Sequence, residues 1–202
     1  MRSLVSLSLL VQLGVGCSEP TPSATPPQYS QPAPQEQTVE EKDMSFEAMK
    51  TAAANGDPRA QSALGYAYDV GEGVTQNLET AAHWYRQAAE QGYANAQFNL
   101  AEMIRDGAGV SQSNEDALAW YTKAGMQGHS KAQYNVAMMH VKGEGVAADN
   151  VTAYAWLVIS ATGDAEGADQ ARDIVGKGIG DKIAEGNALA EKLKAEIRKD
   201  AE

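Results

Sequence analysis

Residues 60–74 read AQSALGYAYDVGEGV, and the same register returns 36 residues later and again 36 after that. Ala60, Ala96 and Ala132 share it, as do Gln61, Gln97 and Gln133. So do the glycines Gly71, Gly107 and Gly143, and a second set, Gly73, Gly109 and Gly145. Downstream the step carries Ala81 to Ala117 to Ala153, and Trp84 to Trp120 to Trp156. Agreement at this many positions in three copies makes the chain an internal repeat. A unit this short cannot bury its apolar face alone and must bury it on its neighbours.

Each unit carries two helical stripes. Ala60, Ala63, Leu64, Ala67 and Tyr68 form the first; Leu78, Ala81, Ala82, Tyr85, Ala88 and Ala89 form the second. Between them, Gly71 and Gly73 stand where a helix C-terminus calls for positive φ. Asn77, Ser113 and Asp149 occupy one register position, and each side chain can accept from an orphan amide at the start of the second helix. Gly92 and Gly128 close the second helices, while Gly163 sits one place early in the third copy. Ala60, Gly65 and Ala81 with their counterparts keep the helix backbones close, and the Trp of each unit is expected to fill the remaining core volume.

AQSALGYAYDVGEGV followed by ETAAHWYRQAAEQG (79–92) resembles the Sel-one-like repeat, a relative of the tetratricopeptide repeat with a longer turn between its helices. The resemblance covers Ala60 to about Ala161 and implies an all-α fold, a right-handed α-solenoid of paired antiparallel helices. It also implies a concave groove lined by the first helix of each pair, at positions that vary between units. Carried over one position at a time, those places hold Arg59, Ser62, Tyr66 and Asp69, then Asn95, Phe98, Glu102 and Arg105, then Lys131, Tyr134, Met138 and Val141. Aromatics and Met mixed with single charges suit the reading of a protein or peptide. Packing of Phe98 and Tyr134 on neighbouring helices is the competing reading.

The array is expected to span residues 44–163. Its opening element is a lone capping helix over Met44 to Asn55, after which Asp57 and Pro58 start the next helix in cap-then-proline order. Residues 164–202 read as C-terminal capping helices, with Ile183, Ala190, Leu193 and Ile197 as the apolar stripe of the last. The GKGIG at Gly176 to Gly180 has neither a phosphate-loop Lys-Ser/Thr pair nor a GxGxxG after a strand, and reads as a turn.

Residues 1–17 are a different object. Met1 and Arg2 precede the short apolar run Leu4 to Leu13, too short to span a membrane, and Cys17 follows. This resembles a bacterial lipoprotein signal, whose cysteine becomes the lipidated first residue; the pattern prefers Leu where Gly14 stands. Ordinary secretion with cleavage near Gly16 is the alternative. Ser18 next to the cysteine resembles sorting to the outer membrane, which makes a periplasmic envelope lipoprotein the expected location. Residues 18–43 hold six of the seven prolines with no apolar periodicity, and read as a disordered tether.

The net charge is −11, so nucleic acid and anionic membrane surface are poor partners; membrane attachment is expected only through the lipid anchor. The three histidines, His83, His129 and His140, fall at no metal or triad spacing, and His140 takes the place of Tyr68 and Ile104 in the repeat. No cysteine other than Cys17 can serve as a nucleophile, and no metal or cofactor is expected. Some Cys-rich proteins with this repeat have been described as β-lactamases or penicillin binders; this chain lacks their cysteines and has no SxxK. The expectation is a non-enzymatic adaptor of the cell envelope that holds a protein or peptide in its groove. A cell-wall or β-lactam enzyme and a passive envelope spacer are the rivals.

Overall fold

The computed structural model describes residues 46–199. The signal segment with Cys17, the tether and Met44 lie outside them. Among the described residues the chain is helical, with no strand: α1 (Phe46–Ala54), α2 (Pro58–Val70), α3 (Leu78–Glu90), α4 (Ala94–Asp106), α5 (Asn114–Met126), α6 (Ser130–Lys142), α7 (Asn150–Ser160), α8 (Ala168–Ile179), a 3-10 turn Gly180–Lys182, and α9 (Ile183–Lys199). α2 packs on α3, α4 on α5 and α6 on α7, and each pair stacks on the next through α3 with α4 and α5 with α6. α1 closes one end on α2, while α8 and α9 both cover α7. This is the expected solenoid.

The turn inside each pair repeats in detail. Gly71, Gly107 and Gly143 adopt φ of 79°, 69° and 72°, and their amides bond to Ala67, Met103 and Met139 carbonyls. The chain then folds back, so that the amides of Asn77, Ser113 and Asp149 reach the carbonyls of Tyr68, Ile104 and His140. The same three residues cap the next helix: Asn77 accepts from the Thr80 amide at 2.9 Å, Ser113 from Asp116 at 3.2 Å, Asp149 from Val151 at 2.9 Å. The second glycines answer to packing as well as to φ. A Cβ on Gly109 would lie 2.3 Å from the Leu78 backbone, and one on Gly145 2.5 Å from that of Asn114. The second and third units therefore rest their turns on the previous unit's second helix at its N-terminus, while Gly73 of the first unit has no such neighbour.

Between units the glutamines form a ladder. Gln61 donates to the Ala53 carbonyl at 3.1 Å, Gln97 to Ala89 at 3.1 Å and Gln133 to Gly125 at 2.9 Å. Gln91 in turn donates to Gln61 at 2.6 Å and Gln127 to Gln97 at 2.7 Å. Buried amides are thus spent on carbonyls freed at the end of each preceding helix. In the third copy Gly163 stands in the place of Gln91 and Gln127, and Ser160 Oγ bonds to the Ser130 carbonyl instead, at 2.9 Å.

Two expectations are corrected. The Trp positions are not equivalent core residues: Trp156 is 4% exposed, but Trp84 and Trp120 are only partly buried, and the Lys123 ammonium lies 3.8 Å from the Trp120 ring centroid. The core volume is filled by the next residue along, Tyr85, Tyr121 and Leu157, all fully buried. The GKGIG segment is not a turn throughout, because α8 runs to Ile179 and Gly176 packs within it; a Cβ there would meet the Tyr154 ring at 3.0 Å. Only Gly180 leaves the helix.

Candidate functional site: the first-helix face

The twelve residues carried over from the resemblance all fall on α2, α4 and α6, with Arg59, Asn95 and Lys131 in the opening turns of those helices. The structure divides them. Ser62, Asp69, Phe98 and Glu102 are buried, Arg59 is exposed, and the remaining seven are partly buried. Phe98 is a packing residue and not a free anchor: it is 5% exposed, stacked on the His129 ring at 4.5 Å and tilted against Tyr121 at 5.8 Å. Tyr66 on α2 and Tyr134, Met138 and Val141 on α6 are the aromatic and apolar groups of this face that stay partly open.

The polar centre is built around Glu102. Its Oε1 accepts from the Tyr121 hydroxyl, from Asn135 Nδ2 at 2.8 Å and from an Arg105 amine at 2.9 Å; its Oε2 accepts from the other Arg105 amine at 2.9 Å. Arg105 also donates to the Tyr121 oxygen at 3.0 Å and, through Nε, to Asp106 at 2.8 Å. α4 supplies Glu102 and Arg105 one turn apart on one face, α5 reaches in with Tyr121, and α6 with Asn135. Such pairing offsets the cost of burying the carboxylate. Burial raises the Tyr121 pKa, and the Glu102 charge raises it further, so the phenol stays a donor. Burial works against the Arg105 charge, but Asp106, Tyr121 and Glu102 outweigh it and hold the guanidinium protonated.

One period earlier the frame recurs with other occupants. Tyr85 stands in the register of Tyr121 and Asn99 in that of Asn135, while the carboxylate is Asp69, in the register of Arg105, and Tyr66 holds the place of Glu102. Tyr85 lies within hydrogen-bonding reach of Asp69 and Asn99. Burial raises the Asp69 pKa more than the Tyr85 hydrogen bond lowers it. In the third repeat Leu157, Val141, Met138 and Ala171 stand in the corresponding places, with neither acid nor phenol. Tyr85, Tyr121, Asn99 and Asn135 were not among the expected site residues. Their signal is in the sequence: tyrosine, asparagine and carboxylate are present together in two copies and missing together in the third.

The histidines take local roles. His129 caps α6, its Nδ1 accepting from the Ala132 amide at 3.2 Å. His140 Nδ1 is buried and, among the described residues, has no hydrogen-bond partner, and burial lowers its pKa. Among the described residues no three His, Cys, Asp or Glu side chains converge on a metal position, and no helix is long and apolar enough to cross a membrane.

Comparison with known proteins bears on this architecture directly. No curated protein matches the sequence. Among solved structures, a Sel1 repeat protein from Oxalobacter formigenes is 35% identical with a TM-score of 0.59, over 63% of this chain and 96% of that one. A protective antigen of uropathogenic Escherichia coli strains with an SLR fold is 32% identical with a TM-score of 0.57, over 78% of this chain but only 34% of the antigen. The Sel1 repeat profile matches residues 58–93, 94–129 and 130–164, each beginning where a first helix begins and together more than half of the chain. The three matched segments coincide with the three helix pairs derived above, and the chain belongs to the Sel1 repeat family.

Proposed function

We propose that this protein is a non-enzymatic adaptor that binds a partner protein or peptide along its first-helix face, held in the bacterial cell envelope by lipid on Cys17. Sel1 repeat proteins generally mediate protein–protein interaction. The observation that carries the reading is the contrast between faces. Residues that stack the units repeat with period 36, whereas the first-helix face changes character from unit to unit. It runs from Tyr66 with Asp69, through the Glu102–Arg105 pair, to Tyr134, Met138 and Val141. A passive spacer has no use for such variation, and an array that reads an extended ligand does.

Site-specific photo-crosslinking in the native bacterium tests it. A photoreactive residue placed at position 134, on α6, should give a discrete adduct with one partner, and the same residue at position 86, on α3, should give none. Adducts from 86 alone would refute the assignment of the face.

A further inference from the structure

The second repeat holds a cation inside its own fold, and the first repeat has the same frame without one. In the second, Tyr121 and Asn135 converge on the Glu102 carboxylate, and Arg105 closes the cluster with two bonds of 2.9 Å to the two carboxylate oxygens. In the first, Tyr85 stands in the register of Tyr121 beside Asp69, which is 8% exposed, and Asn99, in the register of Asn135, bonds to Tyr85. Among the described residues no Lys or Arg pairs with it: the register of Glu102 is filled by Tyr66, and that of Arg105 by Asp69 itself. Asp69 Oδ1 is buried and, among the described residues, has no hydrogen-bond partner. Native structures rarely leave such an atom unmatched, so each case asks for an explanation. The third repeat serves as the internal control, since it lacks the acid, the phenol and the asparagine together.

We propose that the first repeat carries a binding site for a basic side chain, Lys or Arg, of the partner polypeptide, with the Asp69 carboxylate as its anionic contact and Tyr66 and Tyr85 beside it. The site rests on the first-helix face being the binding surface and names what that surface recognises at one end. Arg105 on Glu102 and Tyr121 shows the chemistry the frame accepts. A long basic side chain suits the depth of Asp69, because its methylenes pass the partly exposed Tyr66 ring while its head reaches the acid. The net charge of −11 favours a basic partner at long range. Leaving a buried carboxylate unpaired is destabilising, and such a cost is tolerated where a ligand supplies the missing charge.

The test uses the full chain and three probes: N-acetyl-arginine amide, N-acetyl-lysine amide and the neutral isostere N-acetyl-citrulline amide. Proton NMR follows the Tyr85 ring and the Asn99 side-chain amide. The two cations should shift these signals saturably and citrulline should not. Asp69→Asn should weaken cation binding about tenfold or more. The same variant should melt at or above the wild-type temperature, since it removes an unpaired charge. The pair Tyr66→Glu with Asp69→Arg, which copies the second repeat, should raise the melting temperature and abolish the response. A flat cation titration, a citrulline response equal to that of arginine, or cation binding undiminished in Asp69→Asn overturns the site. So does an Asp69→Asn melting temperature well below wild type, which would make the acid structural. A flat titration with the crosslinks at position 134 intact removes this site alone. Loss of those crosslinks removes the wider reading, and the Asp69 titration can still be scored on its own.

Discussion

The Tyr121 hydroxyl donates to the Glu102 carboxylate across the α4–α5 contact, and Arg105 bonds to both of them. One acid thereby ties together two helices of the second repeat and, through Asn135, the first helix of the third. Charge, phenol and amide act as one unit, which gives single substitutions there uneven effects.

Glu102→Gln keeps the shape but removes the charge that Arg105 faces. Unfolding stability should fall by about 2–4 kcal/mol, since Glu102 is buried and Arg105 is two-thirds covered. Arg105→Ala combined with Glu102→Gln should cost less than the sum of the two single changes. Chemical denaturation of all three variants measures both numbers; strict additivity would contradict the network.

The Trp positions should separate by burial. Trp156→Ala should cost about 3–5 kcal/mol, as expected for a large enclosed ring. Trp120→Ala, with one face open to Lys123, should cost at least about 1 kcal/mol less. Equal costs for the two would mean that the Trp ladder is uniform after all.

His129 gives the fold an acid-sensitive joint. Burial, the largest effect, outweighs the Asp164 charge and lowers its pKa from 6.5 to about 4. Between those values the unfolded chain takes up a proton that the folded chain refuses. The contribution is therefore fully present above pH 6.5 and is lost as pH falls toward 4, on the order of 3 kcal/mol in all. Protonation also ends the acceptance by Nδ1 of the Ala132 amide. His129→Asn keeps a capping acceptor without the titration and should flatten the stability–pH curve in this window. An unchanged slope in that variant would assign the acid sensitivity to other groups.

The proposed lipid on Cys17 predicts where the protein fractionates. In a lipoprotein-competent bacterium, Cys17→Ser should move the protein from the membrane to the soluble fraction. A wild-type chain that is soluble and takes up no labelled fatty acid would replace the anchor with simple secretion.

Much of this was legible beforehand because a repeat states its own alignment. Gly71, Asn77 and Asp57 declare caps through local chemistry, and the helix pairs follow from stripes at helical spacing. What was hidden depends on rotation or on distant partners. Trp84 and Tyr85 are neighbours about 100° apart on one helix, and composition favours the larger ring as core, yet the tyrosine points inward. Gln127 meets Gln97 across 30 residues, a pairing no local pattern encodes. Phe98 looked like a surface anchor because its register varies between units. It is buried because His129, at the start of the next first helix, lies flat on it.

The central claim, that a partner is read by the first-helix face, is tested most directly by comparing two double variants. Tyr134→Ala with Met138→Ala alters the partly open apolar end of that face, and Arg86→Ala with Lys123→Ala alters exposed second-helix positions. Partner recovered on the tagged full-length protein, quantified against wild type at matched helical content, should fall at least about tenfold for the first pair and stay near wild type for the second. Undiminished recovery by the Tyr134 and Met138 variant, with loss in the Arg86 and Lys123 variant, would place the working surface on the opposite face and contradict the account.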